Sequence, residues 1–165
     1  MHSAHRIPRS NRSESVRLGL RGTCDAPGFM RLSSMADYAV VTMSAAARHC
    51  GHARVSAAQL AAETGLPAAT VQKLVSKLSA AGLLRASRGA GGGLKLARPA
   101  AAISLADIVE AVEGPIALTA CVDSARHDCG MESACAVRPH WSVVNDAVRG
   151  ALAAVPLTRL AEIAA

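Results

Sequence analysis

Apolar side chains near the start of the patterned part of the chain recur every three or four positions, which is the period of an amphipathic helix. The pattern predicts a first helix that begins at Ser33 or Ser34 and ends near Gly51. A second, shorter helix follows Ser56, which forms with Gln59 the sequence signature of a capping box. We therefore expect two helices in succession before the next change of pattern.

A third helix is predicted from about Pro67 to Gly82, with aliphatic side chains on one side and polar or basic ones on the other. Two short helices joined by a tight turn, the second with a basic outer face, form a helix-turn-helix pattern. The outer face of such a helix contacts base edges and phosphates in the major groove of DNA. The residues predicted to do so are Thr70, Gln72, Lys73, Ser76 and Lys77.

Beyond Gly82 the helical period gives way to alternation, and Leu84 and Leu94 lie in short alternating runs on either side of a glycine-rich turn. This pattern predicts a β-hairpin. A basic hairpin directly after a helix-turn-helix is a wing that reaches phosphates or the minor groove. The turn has neither the Gly-x-Gly-x-x-Gly spacing nor the Gly-Lys-Ser/Thr ending of a nucleotide-phosphate loop. The wing residues predicted to contact DNA are Arg88, Lys95 and Arg98.

The last third of the chain contains two more predicted helices. One is capped by Ser104, with Asp107 three residues later, and a long one follows Pro139 and stops at Pro156. The long helix has a narrow apolar seam that suits packing either in the core or against a second copy of itself. A homodimer is favoured because helix-turn-helix proteins commonly bind two half-sites. The seam consists of Trp141, Val144, Val148, Ala151 and Val155.

Together these elements predict a mainly α fold: a winged helix-turn-helix with a small β-hairpin wing, a cysteine loop and a long C-terminal dimerisation helix. We divide the chain into an Arg-rich extension (1–29), a winged helix-turn-helix domain (30–99) and a part with the cysteine loop and the dimerisation helix (100–165). The extension has no sustained period and is predicted to be disordered. Met30, where the organised sequence begins, is a second candidate start of translation.

Charge is distributed unevenly along the 165 residues, whose net charge is +6. Residues 30–99 contain nine basic and two acidic residues, whereas residues 100–165 contain four basic and eight acidic ones. A basic block beside an acidic one indicates a half that binds a polyanion, here double-stranded DNA. No apolar run approaches the ~20 residues of a membrane span, and the N-terminal segment lacks the apolar stretch of a secretion signal. We therefore expect a cytoplasmic protein with no membrane partner.

Three of the five cysteines lie close together, in the sequence CVDSARHDCGMESAC. Disulfides are disfavoured in a reducing cytosol, structural zinc normally uses cysteines two to four residues apart, and a nucleophilic thiol needs a positioned base and a pocket. Three thiolates on one loop can instead hold an iron–sulfur cluster. The residues concerned are Cys121, Cys129 and Cys135.

From Met30 to Ala165 the chain resembles the winged-helix iron–sulfur repressors typified by IscR and NsrR. Within that family it is most similar to the branch that regulates SUF-system iron–sulfur cluster assembly. The resemblance covers about four-fifths of the chain, in the family's order. The motifs that carry it are MRLSSMADYAV, SAAQLAAETGLPAATVQKLVSKLSAAGLL, RGAGGGLKLARP, ISLADIVEAVEGPIALTAC, the cysteine loop and CAVRPHWSVVNDAVRGAL.

The resemblance implies that Cys121, Cys129 and Cys135 bind an iron–sulfur cluster, 2Fe–2S in preference to 4Fe–4S. Two features depart from the family. Seven residues separate the first two cysteines here, where better-known members have five. Arg138 stands where IscR-like proteins have a histidine ligand, and a guanidinium, which stays protonated, is a poor metal ligand.

A fourth ligand is implied by the NsrR-like members, which use an aspartate from the first helix of the partner subunit. Counted from Met30, Asp37 occupies that position. Asp37 is therefore expected as the fourth ligand, with His140 or His127 as alternatives. Ligation by Asp37 would tie the cysteine loop of one subunit to the DNA-reading half of the other.

The expected function is that of a DNA-binding transcriptional regulator and not an enzyme: a repressor of SUF genes that senses cluster status. The same residues leave other functions open. These are a nitric-oxide or redox-responsive repressor of the same family, a zinc or thiol regulator, and a small iron–sulfur electron carrier. The electron carrier would leave the basic winged helix without a purpose.

Overall fold

The computed structural model describes residues 32–49, 54–87, 89, 92–123, 129–131 and 133–162. The described residues belong to one compact unit that begins at Leu32, and they form a mainly helical fold with a two-stranded antiparallel hairpin, as predicted. The extension 1–29 and Met30 lie outside the described residues. The elements are α1 (Ser34–Arg48), α2 (Ala57–Thr64), α3 (Ala68–Ala80), β1 (Leu84–Ser87), β2 (Gly93–Leu96), a 3-10 turn (Ala100–Ala102), α4 (Leu105–Glu113), α5 (Arg138–Ala153) and α6 (Leu157–Glu162).

The first two helices begin after serine residues, as the sequence predicts. The Ser33 hydroxyl accepts hydrogen bonds from the N–H groups of Met35 and Ala36, each at 3.1 Å. At α2 the Ser56 hydroxyl accepts from the Gln59 N–H (3.1 Å), and the Gln59 side chain accepts from the Ser56 N–H (2.8 Å). The predicted capping box is therefore present, and each side chain satisfies a backbone donor at the exposed helix end.

The third helix packs its aliphatic side against α1, α2 and α4. Val71, Leu74 and Leu78 on that side are completely buried. Pro67 is the N-cap residue of α3, where its missing N–H costs nothing because the helix start has no carbonyl partner for it. α2 and α3 thus form the predicted helix-turn-helix.

The hairpin pairs Leu84 with Leu96 and Ala86 with Leu94, in antiparallel register. Leu94 also pairs on its other side with Val55, through backbone hydrogen bonds of 2.7 and 3.3 Å. Val55 lies between α1 and α2, and its pairing with the hairpin is not visible in the sequence pattern. Because Leu94 is buried, this bridge attaches the wing to the helices.

Segments from both predicted domains contribute to one hydrophobic core. α4 and α6 pack against α1, and the Leu157 N–H donates to the Ile103 carbonyl at 2.8 Å. Because both parts share this core, the boundary between residues 99 and 100 stays a prediction that divides the chain by expected function. The largest fully buried side chains are Met43, Leu60, Leu74, Leu78, Leu83, Leu84, Ile103, Ile108 and Leu157.

The two C-terminal helices differ in how well the sequence predicts them. α5 begins at Arg138, with Pro139 in its first turn, and ends close to the predicted stop. The sequence pattern does not predict α6, because a proline such as Pro156 indicates the end of a helix. In the structure Pro156 lies between α5 and α6. None of the helices in the described ranges is long and apolar enough to span a membrane.

Candidate DNA interface and cysteine loop

The predicted DNA-contacting side of α3 is exposed. Gln72, Lys73 and Ser76 are exposed and Thr70, near the start of the helix, is half-buried. In helix-turn-helix proteins the first turns of the second helix contact base edges. These four side chains are therefore accessible to a DNA groove.

Lys77 differs from the other predicted contacts on α3, because its ammonium is engaged within the chain. Its Nζ donates to the Val112 carbonyl at 2.5 Å, in the last turn of α4. A cation is favourable there because the C-terminal end of a helix carries partial negative charge. At the adjacent residue of α4, the Glu113 carboxylate accepts a hydrogen bond from the Ser33 hydroxyl at 2.5 Å. Lys77 therefore connects α3 with α4.

Basic side chains lie side by side on the wing. Arg85 and Lys95 occupy directly paired positions of β1 and β2, and both are exposed. Like charges at paired positions repel each other, so a phosphate bound between them would be stabilised by both. Arg54, in the segment that pairs with β2, donates to the Ser87 hydroxyl at the end of β1. Arg88 lies outside the described residues.

Two of these wing residues, Arg54 and Arg85, were not among the predicted contacts. The alternation of Leu84 and Ala86 already indicates that Arg85 has the opposite orientation to its neighbours. No sequence signal brings Arg54 to the wing, because its placement depends on the bridge between Val55 and β2.

The last predicted wing residue, Arg98, contacts α4. Its Nη2 lies 3.7 Å from Asp107 Oδ2, and that oxygen also accepts from the Ser104 N–H (2.8 Å) and hydroxyl (2.9 Å). Burial would raise the pKa of the Asp107 carboxyl, but the hydrogen bonds from Ser104 and the charge of Arg98 outweigh it and hold the pKa below its ordinary value of 3.8. Arg98 therefore supports the capping box of α4.

The three cysteines of the loop are free thiols and half-buried. The Cys121 sulfur lies 3.2 Å from the Thr119 hydroxyl oxygen. Within the part of the chain that the structure describes, no three His, Cys, Asp or Glu side chains are close enough together to hold a metal ion. The donor set itself fits an iron–sulfur cluster, since three thiols on one loop supply the usual ligand type.

The expected fourth ligands lie at the starts of two helices. Asp37 is exposed in the first turn of α1, where the partial positive charge of the helix end favours a carboxylate. His140 is exposed in the first turn of α5. His127 lies outside the described residues. An exposed Asp37 is accessible to a second copy of the chain.

Asn145 is a functional candidate that the sequence pattern does not single out. It is the one buried residue among those of α5. Its Oδ1 accepts from the Leu118 N–H at 3.0 Å, and its Nδ2 donates to the Ile116 carbonyl at 2.9 Å. The segment that leads into Cys121 is therefore attached to the middle of α5.

A charged pair attaches α5 to α4. The Arg149 guanidinium donates to both carboxylate oxygens of Glu110, at 2.8 and 3.0 Å. These hydrogen bonds raise the pKa of Arg149. A bidentate pair fixes the orientation of both side chains as well as their separation, so it sets how α5 lies on α4.

The apolar seam of α5 is only partly covered by the described part of the chain. Val144 is 45% exposed and Val137, one turn before the predicted seam, is 56% exposed. Trp141 and Val148 are half-buried, and Ala151 is exposed. Apolar side chains at this spacing on an exposed helix face are typical of a helix that packs against another copy.

Comparison with known proteins places this architecture among bacterial regulators. The family model described as Rrf2, iron-dependent transcriptional regulator, matches residues 32–163. IscR of Photorhabdus laumondii is 30% identical over 131 residues, which are 79% of each chain. IscR of Cereibacter sphaeroides is 42% identical over 86 residues, covering 51% of this chain and 56% of the relative.

Solved structures with the same fold include two kinds of regulator. CymR, the global cysteine regulator of B. subtilis, superposes with a TM-score of 0.63 at 29% identity, over 82% of this chain and 98% of CymR. IscR of T. potens superposes with a TM-score of 0.61 at 27% identity, over 82% of this chain and 89% of that protein. The winged-helix fold predicted from the sequence is thus confirmed.

Proposed function

Because the chain belongs to the Rrf2 family of transcriptional regulators, we propose that it represses genes for SUF-type iron–sulfur cluster assembly and senses cluster status through its cysteine loop. Family membership confirms the resemblance inferred from the motifs, and the chain is a DNA-binding regulator rather than an enzyme. The observation that carries the finer proposal is the set of three free, half-buried thiols on one loop whose approach is attached to α5.

The proposed ligands are Cys121, Cys129 and Cys135, with Asp37 of a second copy as the fourth. An exposed carboxylate and three free thiols are chemically suited to iron, and we favour a 2Fe–2S over a 4Fe–4S cluster. When bound, a cluster supplies a redox-active and labile group that joins the loop to its fourth ligand. The chain's own part is to present the three thiols on a loop fastened at both ends.

For DNA we propose contacts from two elements. Gln72 on the exposed side of α3 suits an adenine edge, because its amide both donates and accepts. Lys73 and the wing residues Arg85, Lys95 and Arg54 suit phosphates. Thr70, Ser76, Lys77, Arg88 and Arg98 complete the proposed interface.

The proposed regulator is a homodimer that forms through the apolar seam of α5. Exposed and half-buried apolar side chains that alternate at three- and four-residue spacing support this. A dimer is also what the Asp37 proposal needs, because the carboxylate would come from the second copy. Two recognition helices held at a set distance would bind two half-sites of an operator.

One experiment tests the proposal. The protein is purified without oxygen, its iron and sulfide contents and visible absorption are measured, and DNA binding is compared between the loaded and the metal-free forms. We expect iron and sulfide in equal amounts and a DNA affinity that differs between the two forms. A colourless protein that contains zinc, or equal affinities in both forms, would refute cluster sensing.

A thiol regulator without a cluster is the second candidate, and the likeness to CymR favours it. In that case oxidation of the free cysteines would itself be the signal, as thiols that are partly exposed are open to oxidants. Aerobic peroxide treatment of metal-free protein distinguishes the two candidates. A reversible change in DNA affinity that needs no iron would support the thiol regulator.

A further inference from the structure

Both ends of the cysteine loop meet α5. At its C-terminal end, the Cys135 carbonyl accepts a hydrogen bond from the N–H of Arg138, the first residue of α5, at 3.3 Å. At its N-terminal end, Leu118 lies three residues before Cys121 and is bound by Asn145, half-way along α5. The loop is therefore attached to α5 at both ends. Its C-terminal end continues directly into the helix, and its N-terminal end is held by the amide side chain of Asn145.

The chemistry of Asn145 suits this position. An amide donates and accepts at the same time, so it satisfies the Leu118 N–H and the Ile116 carbonyl together. Only 8% of Asn145 is exposed, and buried backbone groups that lose their partner destabilise a fold. An aspartate of the same shape would keep the bond from Leu118 and lose the donor to Ile116. An alanine would lose both bonds.

We propose that Asn145 is a positioning residue that couples the state of the cysteine loop to α5. Ligand binding gathers the three sulfurs, which moves the segment before Cys121 relative to Cys135. Asn145 passes this movement to α5, and the Arg149–Glu110 pair passes it on to α4. The coupling rests on the proposed function in one respect, namely that a ligand on the thiols is the signal.

Hydrogen–deuterium exchange of the full chain tests the coupling. Wild type, Asn145→Ala and Asn145→Asp are compared without metal, with cadmium ions as a thiolate-binding probe, and after anaerobic incubation with iron and sulfide. Arg149→Gln is the matched control, because it loosens α5 from α4 and leaves the contact with Leu118 intact. Far-ultraviolet circular dichroism reports whether each variant is folded.

In metal-free protein we expect the Leu118 amide to exchange about tenfold faster or more in Asn145→Ala, since it loses its acceptor. It should stay protected in Asn145→Asp and in Arg149→Gln. With cadmium, the amides of α5 should change their exchange in wild type. Asn145→Ala should still bind cadmium and lose that response, and Asn145→Asp should show a smaller one.

An α5 response of wild-type size in either Asn145 variant would overturn the proposal. So would unchanged Leu118 exchange in Asn145→Ala, or a wild-type α5 that ignores cadmium. If Asn145→Ala does not fold, the cadmium response of α5 in Asn145→Asp alone tests the proposal, and a response of wild-type size would overturn it. A wild type that responds to cadmium but takes up no iron and sulfide would refute the cluster and leave the coupling intact.

Discussion

Several polar side chains stabilise this chain by satisfying backbone groups that would otherwise be unpaired. Ser33, Ser56 and Ser104 accept hydrogen bonds from the first N–H groups of α1, α2 and α4. Lys77 donates to the last turn of α4, and Asn145 binds the segment before the cysteine loop. The serine caps are visible in the sequence because a cap and its helix are neighbours. The partners of Lys77 and Asn145 lie 35 and 27 positions away, beyond the reach of a local pattern.

The proposed role of Asp37 leads to a prediction at a single carboxylate. In Asp37→Ala we expect the reconstituted cluster to show altered visible absorption and to be lost on the order of tenfold faster, because one ligand is missing. Absorption spectra recorded during exposure to a chelator measure this. Glu63→Ala, which removes the other acidic residue of the basic block, is the control. An unchanged spectrum and lifetime in Asp37→Ala would contradict the assignment.

Two lysines on α3 are expected to behave differently. Lys73→Gln should reduce the slope of log affinity against log salt by about 0.9, because one phosphate contact is lost, and should leave folding unchanged. Lys77→Gln should reduce this slope as well. In addition, it should lower the free energy of unfolding by about 0.5–1 kcal/mol, since the last turn of α4 loses its cation. Salt titrations of DNA binding and urea unfolding measure the two effects. Equal unfolding midpoints in both variants would count against the role of Lys77.

At the scale of elements, the capping box of α4 predicts a pH dependence. The folded-state pKa of Asp107 lies below 3.8, so its contribution to stability is fully present above that pH. The contribution is lost as the pH falls from 3.8 through the folded-state pKa. Asp107→Asn should therefore be less stable than wild type at neutral pH, and the difference should shrink in acid.

Thermal unfolding at a series of pH values checks this expectation. The exposed Asp146, replaced by asparagine, is the control on another helix. A stability difference between wild type and Asp107→Asn that stays constant, or grows, as the pH falls below 3.8 would contradict the contribution assigned to Asp107.

The wing shows how an element can be predicted while its attachment is not. Alternation around the glycine-rich turn predicts both strands, and the observed register pairs Leu84 with Leu96 as a simple hairpin requires. The bridge between Leu94 and Val55 adds a third segment and brings Arg54 to the basic surface. Such a contact depends on how α1 and α2 pack, which no short stretch of sequence specifies.

At the scale of the whole molecule, the partly exposed seam of α5 predicts a dimer. Val144→Glu should weaken self-association by at least about thirtyfold, because two charges would be buried at the centre of the contact. Val143→Glu is the matched control, since Val143 is exposed on the same helix but lies off the seam. Sedimentation velocity over a range of concentrations measures both. A dimer that tolerates Val144→Glu would mean that the copies meet elsewhere.

The contacts described above form a continuous connection through the chain. Asn145 attaches the segment before the cysteine loop to α5, Arg149 attaches α5 to α4, and Lys77 attaches α4 to α3. A change at the loop therefore has a physical route to the side of α3 that is proposed to contact DNA. Binding of a ligand to one state of such a connected unit shifts its population towards that state.

The sequence by itself determined five of the six described helices, the serine caps of α1, α2 and α4, the hairpin, the exposed side of α3 and the family, because each depends on residues close together along the chain. Asp37 and the three cysteines are candidates on the same basis. Only the tertiary structure decided that Lys77 binds α4, that Arg54 joins the wing and that Asn145 holds the approach to Cys121. These contacts join residues far apart in the sequence, and their energy comes from polar groups that only folding brings within hydrogen-bonding distance.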